Sequence, residues 1–347
     1  MPEKAAKRQP GSRPSIRDVA RKAGVSPGCV SNVINGRRKL DDPIGRAVLE
    51  AVNELGYRRN TMASNLRRSQ SRIIGLVIPN FENPFFAELV AKLEQRAETT
   101  NYRIVATSSR EDPETEAREI DELVGWRVAG VFVIPSLSSR ALNLVSASET
   151  PFVFLDRIPQ NAATDGVGVN NAEACALLMR HLFEAGHSRI LVAYLGDGIA
   201  NVAERLDGVR NAVAEHEQPV TVDYLPTGDS IEGARAALDA YFDHNPKPDA
   251  VFCLFNTATL AAYGLLQQRG FVLGKDMALA GFDDSAWMAH VHPPVAAIVQ
   301  PIEEIAKVAW ERLLARIEGD TSAPETIRIN CRLEARESLT SVETQAG

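Results

Sequence analysis

Cysteine is scarce in this 347-residue chain and never clustered: Cys29, Cys175, Cys253 and Cys331 form no CxxC pair. Neither a zinc site nor a disulfide framework is indicated, and the four thiols read as core residues in a reducing compartment. Long apolar runs are missing as well. None reaches the roughly 18 residues that a membrane span needs, and the opening MPEKAAKRQPGSRP lacks the apolar segment of a secretory signal, so a cytoplasmic protein without a membrane partner is expected. The motifs that would mark an enzyme are also absent. There is no GxSxG, no HExxH, no Walker loop and no complete GxGxxG, only a GxG fragment at Gly196 and Gly198. His290 and His292 stand beside Pro293 and Pro294 without partners at metal-ligand spacing, which favours an exposed turn over a metal site. Asp283 and Asp284 are adjacent at a strand end and should point apart, so they do not form an acid and base pair. No catalysis, cofactor or metal is expected. A transport-type solute receptor would need export and would have no use for a basic head.

What the chain does have is charge placed unevenly. Residues 1–72 hold 16 Lys plus Arg against 6 Asp plus Glu, net +10, leaving 22 against 39, net −17, for the rest. A basic head suits a polyanion, because each neutralised phosphate releases counterions, while an acidic body is repelled by the same polymer. At this length two or three domains are expected. The Lys-, Arg- and Pro-rich residues 1–14 read as a disordered arm.

Within the head, SIRDVARKAGVSPGCVSNVIN (15–35) reads as two short helices joined by a tight turn. Ile16, Val19, Ala20 and Ala23 make one apolar stripe behind a capping box of Ser15 and Asp18. Gly24 stops that helix, Ser26 caps the next, and Pro27 fills its first turn. Val30, Val33 and Ile34 bury the second helix. Its other face carries Pro27, Gly28, Ser31 and Asn32, small enough for a close approach and polar enough to hydrogen-bond. This is helix-turn-helix geometry; an ordinary αα-hairpin would share the pattern, and the basic flank argues for the former. Arg37, Arg38 and Lys39 follow in a loop that could reach phosphates or simply be solvated. Asp41 or Asp42 caps a third helix with Ile44, Val48, Val52 and Leu55 buried and Gly56 at its end. Residues 57–72 are arginine-rich and poor in core residues, a linker in which Met62, Ala63 and Leu66 would form a short helix only when covered by DNA or a twin copy.

From Ile73 the pattern changes to apolar strands alternating with amphipathic helices: IIGLVIP, RIVATS, GVFVIP, FVFLD, RILVAYL, VTVDYL, AVFCLF and MALAGFD are the strands. The alternation calls for an α/β fold with parallel sheets covered on both faces, and the number of units favours two doubly wound lobes with a cleft where strand ends meet. Polar residues recur at those ends: Asn80 to Asn83, Asp156 and Arg157, Asn256 and Thr257, Asp283 and Asp284, with Arg205 near the start of a helix. Each alone would serve as a turn or capping residue; their recurrence points to a ligand cleft. Phe85, Phe86 and Trp287 would stack on a ligand's apolar face or belong to the core.

With these residues in view the chain resembles the LacI/GalR family of bacterial transcription regulators over about residues 15–338. IRDVARKAGVSPGCVSNVING resembles the family's DNA-binding signature, LGYRRNTMASNL its hinge element, and RIIGLVIPNFENPFFAEL the opening of its periplasmic-binding-protein-like core; LDR, HLFEAGHSRI, ERLDGV, GFDDSAW, PPVAAIVQP and LEARESL follow in order. The resemblance implies an N-terminal three-helix helix-turn-helix head at 15–58, a hinge at 59–71, and a core at 72–341 followed by a tail at 342–347. Lobe one would hold about 72–166 and 300–325, lobe two about 167–299 and 326–341, with crossover strands near 164–170, 295–301 and 325–330. It further implies a homodimer on a palindromic double-stranded operator, acting as a repressor, with hinge helices in the minor groove and a small effector between the lobes.

Carried over residue by residue, Pro27, Gly28 and Asn32 match positions that read base edges and Leu66 the hinge leucine that wedges into a base step. Ser15, Ser26, Cys29, Ser31, Asn35, Arg37, Arg38, Asn60 and Ala63 complete the expected DNA contacts. Cys29 stands where the family usually has Thr, Arg59 where Pro is common before Asn60, and Thr257 where an Asp follows the cleft Asn. AAI at 296–298 replaces a typical Thr-Thr-hydrophobic run. For the effector, Asp156, Arg157, Arg205, Asn256 and Asp283 match cleft positions, joined by Asn83, Phe85, Phe86, Trp287 and Gln300. Carboxylates, amides and guanidinium groups suit a polyhydroxylated ligand, so a sugar or sugar acid is expected; a purine or other metabolite is the alternative.

Overall fold

The computed structural model describes residues 14–34, 42–57, 71–136, 140–159, 162–196 and 198–339. The expectations for Asn35, Arg37, Arg38, Asn60, Ala63 and Leu66, and for nearly all of the arm, hinge and tail, lie outside the described residues. The chain divides into two compact units between residues 70 and 71.

In the first unit, α1 (Ile16–Ala23) begins at Ser15, whose hydroxyl accepts from the Asp18 amide while the Asp18 carboxylate accepts from the Ser15 amide at 2.9 Å. Two donors that a helix start leaves unpaired are thereby satisfied. Gly24 ends it with φ 66°, a left-handed turn that costs no Cβ clash. Ser26 Oγ accepts from the Cys29 amide at 3.2 Å to open α2 (Pro27–Ile34). Asp42, rather than Asp41, caps α3 (Pro43–Leu55). Val19, Ala20, Val30, Val33, Val48 and Ala51 form the head's core, with Ile16, Ile34, Ile44, Val52 and Leu55 packed against it. Each fully buried Val contributes about 1.5–3 kcal/mol of transfer free energy, enough to hold three short helices that would not persist alone.

The second unit contains two six-stranded sheets. The first joins β1 (Ile73–Ile78), β2 (Arg103–Ser108), β3 (Gly130–Val133), β4 (Phe152–Leu155), β5 (Asp165–Val169) and β11 (Thr326–Ile329) in the order β11-β5-β4-β3-β1-β2, every pairing parallel. The second joins β6 (Arg189–Tyr194), β7 (Thr221–Pro226), β8 (Ala250–Cys253), β9 (Ala278–Phe282), β10 (Ala296–Val299) and β12 (Arg332–Glu334) in the order β12-β10-β9-β8-β6-β7. There β12 alone runs antiparallel, against β10. The helices are α4 (Pro84–Thr99), α5 (Pro113–Gly125), α6 (Arg140–Ala147) and α11 (Ile302–Ile317) in the first lobe. The second has α7 (Asn171–Glu184), α8 (Ala200–Glu215), α9 (Ile231–His244) and α10 (Asn256–Gln268).

All of β5 and β11 lie in the first sheet, so the lobe limits expected at 166/167 and 325/326 are corrected: the chain crosses at Asn170, at Gln300 and Pro301, and at Asn330 and Cys331. The reason is register. Asp165 to Val169 pair with β4 and β11 throughout, and a strand cannot be divided between sheets without losing those bonds. Among the described residues no helix is long and apolar enough to cross a membrane.

Candidate functional site

Open α/β sheets leave a crevice beyond the carboxyl ends of their strands, and a cavity of about 700 Å³ occupies that place here. Strand ends supply much of its wall: Asn80 and Asn83 after β1, Asp156 and Arg157 after β4, Asn256 after β8, Asp283 after β9 and Gln300 after β10. All ten residues singled out for the effector line it, since Phe85, Phe86, Arg205 and Trp287 join those named.

Their bonds distinguish them. Asp156 and Asp283 both have positive φ, 57° and 73°, at the turn leaving their strands. Asp283 is 9 % exposed and accepts from Gln300 Nε2 at 2.6 Å. Burial pushes its carboxyl above the usual range, Arg205 and the Gln300 bond oppose the rise, and Asp156 adds to it. Its neighbour Asp284 turns away to a bidentate pair with Arg336 at 2.7 Å, as adjacency at a strand end suggested. Asp156, 5 % exposed, accepts from Asn201 Nδ2 at 2.9 Å through one oxygen.

The arginines are more committed to the protein than the sequence suggested. Arg157 makes a bidentate pair with Glu111 at 2.7 and 2.8 Å and donates to the Pro135 carbonyl. Burial works against its charge, but Glu111, backed by Asp156 and Glu116, more than offsets this and raises its pKa. It acts first as a strut. Arg205 donates Nε to Asn171 Oδ1 at 2.9 Å and Nη1 to the Leu254 carbonyl at 2.6 Å, and its guanidinium carbon lies 3.5 Å from the Phe282 ring centre. A desolvated stack of this kind adds about 2 kcal/mol. It is placed by the close approach of α7 and α8: a Cβ at Gly208 would overlap the Ala172 carbonyl, so only glycine brings Asn171 within reach.

Asn83 caps α4 through the Phe85 amide at 2.9 Å and accepts from Asn256 Nδ2 across the cleft at 2.7 Å. Phe85 and Phe86 do both things considered for them: they are 5 % and 3 % exposed members of the core and also line the cavity. Trp287 is half-buried, 5.4 Å from the Tyr263 ring. Sequence reasoning missed Asn201 and Glu111. Asn201 begins a helix rather than ending a strand, and Glu111 belongs to a turn whose two residues Arg110 and Glu111 have φ of 54° and 57°, so neither carries a strand-end signature.

On the head, Ser26, Pro27, Gly28 and Asn32 form an exposed face of α2, with Cys29 and Ser31 partly buried beside them; Ser15 is exposed but engaged in capping. A Cβ at Gly28 would meet nothing nearer than Ser26 Oγ at 3.9 Å, so the head's own packing does not require glycine there. Among the described residues no cluster suits a metal ion, and none of the four cysteines forms a disulfide.

Comparison with known proteins adds to this geometry. Residues 15–60 match the profile described as bacterial regulatory proteins, lacI family, and residues 71–337 match periplasmic binding proteins and sugar binding domain of LacI family. The chain is 29 % identical over 331 residues to the ribose operon repressor of Haemophilus influenzae, covering 95 % of this chain and 99 % of that protein. The lac repressor dimer bound to operator and an anti-inducer shares the fold with a TM-score of 0.83 at 22 % identity, covering 95 % of this chain and all of that one. A complex of the transcriptional regulator CelR with cellobiose has a TM-score of 0.69 at 28 % identity, covering 94 % of this chain and all of that one.

Proposed function

Since this chain belongs to the LacI family and is a DNA-binding transcriptional regulator controlled by a small ligand, we propose that the ligand is a sugar or sugar acid, bound between the lobes by Asp156, Arg205, Asn256 and Asp283, with Arg157 behind them. The observation that carries this is the convergence of buried carboxylate, amide and guanidinium groups from both lobes on one cavity with aromatic walls. Hydroxyl groups both donate and accept, so they satisfy such a mixed set, while the apolar face of a sugar ring suits Phe85, Phe86 and Trp287. The relative solved with cellobiose and the one named for ribose agree with that chemistry.

The lobes already touch through Asn83 and Asn256, and through Asp156 and Asn201. A ligand that inserts among these amides exchanges direct bonds for bonds to itself and so shifts the balance between lobe arrangements, which is how a small molecule alters a distant site. The protein acts as a homodimeric repressor on a palindromic operator, with α2 of each protomer in a major groove and Pro27, Gly28, Ser31 and Asn32 against base edges and backbone.

The test is a thermal-shift screen of sugars, sugar acids and nucleobases, followed by operator binding with each hit. A ligand at about 100 times its Kd should stabilise the core by about 2.7 kcal/mol and change operator affinity. A best ligand without hydroxyl groups would refute the assignment.

A further inference from the structure

The cavity has an imbalance of both charge and hydrogen-bonding capacity. Among the described residues six carboxylates line it, Glu82, Glu111, Asp156, Asp229, Glu232 and Asp283, against three guanidinium groups. Of the three, Arg157 is paired with Glu111 and lies 4.0 Å from Asp156, Arg205 acts on Asp283, and Arg110 is exposed. Any negative charge brought by a ligand would meet more carboxylates than guanidinium groups, and repulsion is screened least at the buried pair Asp156 and Asp283.

Of the buried atoms without a hydrogen-bond partner on residues that line the cavity, one, Arg157 Nε, is a donor that lies 4.0 Å from Asp156 Oδ2, and two are acceptors. Asp156 Oδ1 and Asn201 Oδ1 are buried without any hydrogen-bond partner, on side chains whose residues are 5 % and 6 % exposed and which line the cavity side by side, joined by the Asn201 to Asp156 bond. The orientation of the Asn201 amide is fixed by that bond, because a carboxylate only accepts. Two adjacent acceptors therefore stand without donors, and buried polar groups left so cost about 1–3 kcal/mol each. A ligand carboxylate or phosphate would bring further acceptors to this place. Vicinal hydroxyl groups bring two donors.

We infer that the cleft selects an uncharged polyhydroxylated ligand, two of whose neighbouring hydroxyls donate to Asp156 and Asn201, and that it rejects the corresponding sugar acids and sugar phosphates. The inference rests on the carbohydrate reading given above and narrows it. Asn201 becomes a specificity-determining residue and Asp156 the source of discrimination against anions, rejection by misplaced charge being as much a part of selectivity as attraction.

Calorimetry on the full-length protein tests it, with neutral pentoses, hexoses and disaccharides as probes beside their aldonic acids and 6-phosphates. At least one neutral probe should bind, with each of its anionic counterparts at least tenfold weaker. Asn201→Ala, or the milder Asn201→Ser should the first not fold, should weaken the neutral probe about tenfold or more. Asp156→Asn should narrow the gap between neutral and anionic probes by a similar factor. An anionic counterpart that binds as tightly as the neutral sugar, and alters operator affinity, overturns the inference while leaving the carbohydrate reading in place. Failure of every probe, neutral and anionic, overturns that reading and the inference with it.

Discussion

Asp283 shows what a single side chain at this site costs and supplies. Burial holds its carboxyl above the ordinary value of 3.8, so on unfolding it releases its proton at a lower pH than it does in the fold. Its contribution to stability is complete below that ordinary value and is lost as pH rises through the folded value. Asp283→Asn should therefore raise the denaturation midpoint at pH 7 and flatten its fall above pH ~4, while weakening the ligand at least tenfold; urea titrations across pH and calorimetry check both. Asp283 was legible from its place at a strand end, whereas Asn201 was not, because its partner Asp156 lies 45 positions away and no local pattern links them. On the head, Gly28 makes a complementary case. With open space around its missing Cβ, Gly28→Ala should stabilise the head by up to about 1 kcal/mol and yet weaken operator binding, if the duplex backbone comes close at that point. Asn32→Ala should cost about 1–3 kcal/mol of base discrimination at one position per half-site, and equal losses on operator and random duplex would count against its reading role.

Among the elements, α8 depends most narrowly on one position. Gly208→Ala should drive it from α7, breaking the bond from Arg205 to Asn171, at a cost of about 3 kcal/mol or more; loss of ligand binding together with a lowered unfolding midpoint would be the signature. A second narrow dependence sits at β5, where Asp165 is fully buried and takes Arg312, Arg316 and the Glu325 amide. Removing that carboxylate by Asp165→Ala leaves two arginines facing each other and should cost about 3–5 kcal/mol in denaturant titrations. Of the eight strands written as apolar runs, six were readable because burial on both faces demands continuous hydrophobicity, while β2 and β7, partly exposed at the sheet edges, were readable from the apolar residues they keep. β5, DGVGV, was not readable that way. Gly166 is needed where a Cβ would press on Ile158, so packing removed the very side chains by which a strand is recognised. β11 and β12 are edge strands with exposed Thr326 and Arg332, and only the family resemblance indicated crossings near them.

For the whole molecule, the lobes are joined by three crossings and braced by Arg328 of β11 against Glu204 of α8, a pair only a quarter to a third exposed. Arg328→Ala should loosen that brace by about 1 kcal/mol, read as a few-fold change in ligand affinity and a larger radius in small-angle scattering. The crossings carry a consequence for how the protein is made. During synthesis the head has its entire core once Tyr57 has emerged, whereas each sheet waits for an edge strand encoded within residues 326–334. A ribosome moving at about 5–20 residues per second thus releases a helix-turn-helix head tens of seconds at most before its ligand-binding partner can close. A chain stopped at residue 325 would lack one edge from both sheets at once, so premature termination near the end should cripple sensing in both lobes together and leave behind a head with no means of being switched.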